Sequence, residues 1–203
     1  MIPEILVVGY ARSGTSLVTE LAYILKNYPK PRGMISQGDN YAGYNEFIET
    51  FSFFHYCVFV IWNRAWWEME SYKDNPVWNN IGKAGILAFL HERHVKIFKE
   101  NHLLTMIGGF PEFRECKILW VKRDDFACYR SYKKAFGDNA LEYDDWMKDK
   151  LAAERIWRKQ NVDCFVVHYE DLKKHPGITV KEIAQYLNVN NKERIMDAIN
   201  FIK

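Results

Sequence analysis

A run of β-forming residues, Ile5-Leu6-Val7-Val8, leads into Gly9-Tyr10-Ala11-Arg12-Ser13-Gly14-Thr15-Ser16 and then into a helix-like apolar pattern. Residues of these types in this order can bind an anion. Backbone N–H groups of a glycine-bracketed turn curl round a phosphate at a helix N-terminus, where the dipole also favours negative charge. The spacing Gly9-x4-Gly14 matches the phosphate loop of ATPases, but Thr15 stands where that motif carries Lys, and the cation in the loop is Arg12. A phosphate is expected here, held differently from those of ATP. A second anion grip follows Lys117-Ile118-Leu119-Trp120-Val121, a strand that stops at Lys122-Arg123-Asp124-Asp125. Arg123 at the strand end and Ser131 on the next helix could hold one phosphate together, the arginine through a forked, charge-assisted contact. The residues alone equally allow Arg123 to pair with Asp124 or Asp125. A magnesium-holding acid is disfavoured, because Lys122 and Arg123 separate the strand from the carboxylates.

Such residues need a frame that sets strand ends side by side. Apolar spacing predicts a strand over Ile5–Val8 and a helix over Ser13–Lys26 presenting Leu17, Leu21, Ile24 and Leu25, ended by Pro29 and Pro31. Met34–Ser36 reads as a short strand, Gln37–Tyr44 as a polar loop, Phe47–Trp67 as aromatic-rich helix and Asp74–Pro76 as a turn. Ile86–Glu100 reads as a helix with Leu87, Leu90, His94 and Phe98 on one face. Strands are expected at Leu103–Ile107, Lys117–Val121 and Cys164–Val167, and helices at Phe126–Phe136, Tyr143–Gln160, Ile178–Leu187 and Lys192–Phe201. Short apolar strands alternating with helices imply an α/β fold, a central parallel sheet flanked by helices on both faces. Ligands gather at the carboxyl ends of such strands. The Gly9 loop, the Arg123 segment and the segment from His168 all fall there.

The 203 residues suit one domain over residues 1–203, and a net charge of +2 gives no global pull toward nucleic acid or anionic membrane. Cys57, Cys116, Cys128 and Cys164 are scattered without CxxC spacing, the pattern of free core thiols in a reducing compartment rather than a zinc site. The apolar block Phe51–Trp67 is broken by His55, Asn63 and Arg64, so no membrane span is expected. The chain opens directly into a strand without a signal-peptide pattern, and a cytoplasmic location is the default expectation.

The loop Gly9–Ser16 resembles the 5′-phosphosulfate loop of sulfotransferases that use 3′-phosphoadenosine 5′-phosphosulfate (PAPS), which typically reads Pro-(Lys/Arg)-Ser-Gly-Thr-(Thr/Ser). Lys117–Arg123 with Ser131 is similar to their 3′-phosphate motif, and Val167-His168-Tyr169-Glu170-Asp171-Leu172 with the helix to Leu187 is similar to their Tyr-Glu-Asp-Leu segment. The three matches keep the family's order. The resemblance implies a three-layer P-loop-type fold and transfer of a sulfuryl group to a hydroxyl, or less readily an amine. The acceptor would be a small molecule, glycan or peptide. It implies that Ser13, Gly14, Thr15 and Ser16 hold the 5′-phosphate, that Arg12 stabilises charge on the oxygen linking phosphate to sulfate, and that Arg123 and Ser131 hold the 3′-phosphate. No metal is implied, since side-chain cations neutralise the charge.

The chain departs from the pattern at Ala11, where the loop proline stands, at Leu17, where cytosolic members carry an adenine-stacking Trp, and in having no basic Arg-Lys-Gly segment before Lys203. Asn40–Glu46 resembles an Asn-Pro-Lys-Gly-Tyr-x-Glu stretch of bacterial-type members, which points to Glu46 as general base. An acid there can also cap the following helix. Glu49, His55, His94 and His102 are the other candidates for the base, and the Trp62–Trp67 end of the aromatic block is the candidate acceptor wall. The competing functions are a small P-loop kinase and a nucleotide-binding module without turnover.

Overall fold

The computed structural model describes residues 2–29, 85–88, 90–92, 94–101 and 103–202. The readings of Met34–Ser36, Gln37–Tyr44, Phe47–Trp67 and Asp74–Pro76 lie outside the described residues, as do Glu46, Glu49, His55, Cys57 and His102. Among the described residues, four strands form one parallel sheet: β1 (Ile5–Gly9), β2 (Ile97–Lys99), β3 (Lys117–Lys122) and β4 (Phe165–His168), in the order β2-β1-β3-β4. Among the described residues the helices are α1 (Thr15–Lys26), α2 (Leu103–Met106), α3 (Asp125–Phe136), α4 (Tyr143–Lys159), α5 (Tyr169–Lys174), α6 (Pro176–Tyr186) and α7 (Lys192–Ile202), with a helical stretch also at 85–88 and 90–92.

Strand alternation divides the core in two. Side chains at Ile5, Val7, Leu119, Val121 and Val167 face α1, α6 and α7, meeting Val18, Leu21, Ala22, Leu25, Ile183 and Ile199. Their neighbours Leu6, Val8, Phe98, Ile118 and Trp120 face α2 and α4, meeting Leu104, Phe110, Phe113, Ala153 and Trp157. Both faces are covered, which is why these strands read as continuous apolar runs rather than as alternating ones. Helix α1 follows its expected face and ends at Asn27, whose φ of 53° closes a left-handed cap.

Two expectations are corrected. The proposed helix Ile86–Glu100 stops early: His94 takes a left-handed φ of 52°, Val95 N–H donates to the Leu90 carbonyl at 3.1 Å, and the chain turns into β2. Ile97 then pairs with Ile5 and Lys99 with Val7, so sheet pairing overrides the helical spacing of Phe98. Leu103–Ile107, expected as a strand, starts with helix α2. Its residues are buried throughout, and a short run of that kind fits a buried helix as well as a strand.

The sheet order puts the switch between β1 and β3: the chain leaves β1 and reaches β2 on one side, whereas β3 lies on the other. Gly9 is level with Val121, and Lys122 with His168, so the three polar segments share one edge of the sheet. A crevice beside β1 and β3 is the place where such folds bind ligands.

Candidate active site

Two residues of the loop, Gly9 and Gly14, have no freedom to change type. Arg12 and Gly14 both have positive φ, 70° and 99°, on either side of Ser13, and so bend the loop sharply before α1 begins. A Cβ on Gly9 would stand 2.5 Å from Ser13 Oγ and 2.8 Å from the Val121 carbonyl oxygen. One on Gly14 would run into the Tyr169 ring, 2.8 Å from its Cε2 and closer still to Cδ2. Close approach is the reason for glycine at both positions, joined at Gly14 by the left-handed turn.

Gly14 is the N-cap of α1, no side chain caps the helix, and no acid lies in its first turn. Helices α3, α4 and α5 differ, each carrying acids in the first turn. The positive end of α1 therefore has no acid of its own, at the place where a bound anion would supply the counter-charge. Ser13 is 3% exposed and its Oγ has no hydrogen-bond partner among the described residues. An unmet buried hydroxyl costs roughly 1–3 kcal/mol, a cost a bound phosphate would offset. Thr15 is equally buried, and its carbonyl accepts from Thr19 Oγ1 at 2.8 Å.

Helix α3 starts because Asp124 accepts the Ala127 N–H at 2.8 Å. One turn apart on the face toward the loop, Cys128 and Ser131 reach it directly. Cys128 Sγ donates to the Ala11 carbonyl at 3.2 Å, and Arg12 Nε donates to Ser131 Oγ at 3.2 Å. Burial pushes the Cys128 thiol up to about 12, so it acts as a neutral donor. Arg123 Nη1 donates to the Arg12 carbonyl at 3.2 Å, its guanidinium lies 4.6 Å from the centre of the Tyr169 ring, and its Nε is buried without a partner among the described residues. Beneath the loop, Tyr10 meets Trp146 edge-on at 5.5 Å in a small aromatic cluster with Tyr129 and Tyr132, where burial raises the Tyr10 hydroxyl well above its ordinary value.

Arg12, Ser13, Gly14, Thr15, Ser16, Arg123 and Ser131 thus meet at one sheet edge, although Arg12 and Ser131 are 119 residues apart. Arg123 does not pair with its acidic neighbours: Asp124 caps α3 and Asp125 pairs with Lys150 Nζ at 2.8 Å. His94 is exposed and precedes β2, at the opposite edge of the sheet, so it is no candidate for a base in this crevice. Glu46 lies outside the described residues. Tyr169, within the segment from His168 already expected at this edge, and Cys128 are site neighbours to which the sequence assigned no individual role. Tyr169 had a signal, its place directly after a strand, but Cys128 had none, because a thiol's partner carbonyl is not visible in spacing.

The loop with its unpartnered hydroxyl, the free helix end and the two guanidiniums fit an anion-binding centre. Among the described residues no group of three or more His, Cys, Asp or Glu is placed to hold a metal ion, and no helix is long and apolar enough to cross a membrane.

Comparison with known proteins places the fold and the family. The solved sulfotransferase STF1 from Mycobacterium tuberculosis H37Rv superposes with a TM-score of 0.58 at 12% identity, covering 98% of this chain and 71% of that one, a likeness of fold. Mouse sulfotransferase SULT7A1 complexed with PAP gives 0.46 at 15% identity, over 98% of this chain and 64% of its own. The sulfotransferase domain of the Synechococcus PCC 7002 olefin synthase gives 0.43 at 15% identity, over 97% and 76%. No curated protein sequence matches the chain. The family model for the sulfotransferase domain matches residues 3–201, nearly the whole length, and the chain belongs to the sulfotransferase domain family.

Proposed function

We propose that this protein transfers a sulfuryl group from PAPS to a hydroxyl of a small molecule, glycan or peptide. The observation that carries the proposal is the junction of Arg12, Ser131 and Arg123, 3.2 Å apart in successive contacts, which joins the Gly9–Ser16 loop to the β3–α3 segment; we read the two as separate anion grips. An ATP site has no use for the second grip, whereas a donor with a separate 3′-phosphate does. PAPS would supply the activated sulfuryl group. The N–H groups from Ser13 to Ser16 would hold its 5′-phosphate at the positive end of α1. Arg123 and Ser131 would read the 3′-phosphate, with the Arg123 Nε as an unspent donor. Arg12, already turned to Ser131, would stabilise the charge that grows on the oxygen between phosphorus and sulfur. Glu46 is the proposed base for the acceptor hydroxyl, and Glu46→Gln should then slow transfer without weakening nucleotide binding. An unchanged rate would remove it from that role.

Thermal stabilisation tests the reading. Adenosine 3′,5′-bisphosphate at about a hundredfold excess over Kd should add about 2.7 kcal/mol, and ATP with magnesium much less. Stabilisation by ATP–magnesium alone would favour a kinase. Bisphosphate binding with no sulfuryl transfer to a broad acceptor panel would favour a module without turnover. Arg123→Ala should weaken the bisphosphate far more than 5′-AMP, and equal losses would show that Arg123 does not read the 3′-phosphate.

A further inference from the structure

Behind Arg123 lies a set of linked charges, two of them buried, that the anion site does not use. Strand alternation turns Lys122 to the α4 side of the sheet, where its ammonium lies 4.8 Å from the Trp120 ring centre and 3.4 Å from Glu154 Oε2. Glu154 Oε1 is 2.8 Å from Lys150 Nζ, one turn earlier on α4, and Lys150 Nζ is 2.8 Å from Asp125 Oδ1. The ion pairs therefore run Lys122–Glu154–Lys150–Asp125, and the backbone from 122 to 125 closes them into a ring. Between its ends, Asp124 N–H donates to Glu170 Oε1 at 3.1 Å while the Asp124 carboxylate caps α3. Three of the turn's four side chains are thus tied away from the crevice. Arg123 alone is sent into it.

The Lys150 and Glu154 side chains are both 8% exposed. A buried ion pair of this kind contributes little net stability compared with apolar residues of similar size. What it supplies is direction, because each charge accepts only a narrow set of partner positions. We propose that the Lys150–Glu154 pair is a positioning device for the phosphate-reading turn, clamping Lys122 and Asp125 so that the Arg123 guanidinium is held at the 3′-phosphate side of the crevice. The inference rests on the assignment of Arg123 to that phosphate. Neither Lys150 nor Glu154 touches the ligand; both act through the backbone that carries Arg123.

The test is the ratio of affinities for adenosine 3′,5′-bisphosphate and 5′-AMP, measured by calorimetry on the full chain. The double variant Lys150→Met/Glu154→Leu removes the pair without leaving a lone buried charge. It should keep its affinity for 5′-AMP and lose about tenfold in preference for the bisphosphate. Lys150→Arg, which can keep both ion pairs, should retain the wild-type preference. A folded double variant with the full preference overturns the positioning role and leaves the 3′-phosphate assignment intact. So does an equal loss for both nucleotides, the mark of a general loosening. A wild-type protein that does not distinguish the nucleotides overturns the assignment itself, and this inference with it. Should the double variant not fold, Lys122→Met cuts one link at a partly exposed position. A drop in preference there supports the clamp, and an unchanged preference sinks it.

Discussion

Arg12 is held in a left-handed backbone conformation, a φ of 70° that an L-residue other than glycine adopts at a cost of roughly 1–2 kcal/mol. The strain places its guanidinium on Ser131 while its carbonyl receives Arg123. Arg12→Gly should relieve the backbone and leave thermal stability equal or higher by about 1 kcal/mol, yet abolish sulfuryl transfer. A variant that is both destabilised and active would show that neither the strain nor the guanidinium has the role assigned to it. Gly14 is the converse case. Its left-handed φ coincides with contact against Tyr169, whereas Gly137, with a φ of 55°, has nothing within 4 Å of the space a Cβ would take. Gly137→Ala should therefore cost only the conformational penalty, roughly 1–3 kcal/mol for a φ of 55° with a ψ of −128°. Gly14→Ala should cost clearly more and remove bisphosphate binding, as denaturant unfolding and calorimetry on the pair will report.

Helix α3 links the two proposed anion grips: its N-cap fixes where it begins, and its spacing then puts Cys128 and Ser131 against the loop. Asp124→Ala should cost about 1 kcal/mol in denaturant unfolding. It should also weaken bisphosphate binding, because fraying of the first turn shifts the helix that carries Ser131. Helix α1 contributes differently. Leu21 and Leu25 are wholly buried against Val7, Leu119 and the C-terminal helices, and the Tyr23 hydroxyl donates to the Ile97 carbonyl at 3.2 Å. Leu21→Ala should destabilise by about 2–5 kcal/mol while nucleotide affinity of the folded fraction stays near that of the parent. The strands and helices at the site were legible in the sequence because each has its own period and stop signal, as in Val121 giving way to Lys122. The β2 strand was not. Ile97–Lys99 owes its conformation to pairing with Ile5–Val7, far away in the chain, and its local pattern is as good a helix as a strand.

Across the whole molecule, buried charge joins the sheet to the helical layer. Burial alone would raise the Glu154 carboxyl, but the hydrogen bond and charge of Lys150, followed by the charge of Lys122, bring it below its ordinary value of 4.5. Burial likewise opposes the charged form of Lys150, and its bonds to Asp125 and Glu154 outweigh that and raise it above 10.5. A carboxylate lowered on folding stabilises fully above its unfolded value and loses that contribution as the pH falls through the folded one. A raised lysine stabilises below its unfolded value and loses that contribution as the pH rises through the folded one. Stability should therefore fall as acid takes the pH below 4.5, and the Lys150→Met/Glu154→Leu protein should show a shallower fall over the same range. Denaturant midpoints measured from pH 3 to 7 check the slope, and parallel curves would mean that the pair does not couple to folding.

By itself the sequence determined the chemistry available: glycines where a loop must turn tightly, Arg12 in place of a lysine, Arg123 at the end of a buried strand and Ser131 on the helix beyond. Those are local matters, set by spacing, apolar period and cap residues within a few turns of chain. Only the tertiary structure decided that Arg12 and Ser131 touch across 119 residues, that Tyr169 packs on Gly14 and carries Arg123, and that Lys150 and Glu154 brace the turn from behind. Each of those contacts depends on strand order and on which sheet face a residue meets. Parallel pairing joins segments with no sequence proximity, so no local pattern could announce them.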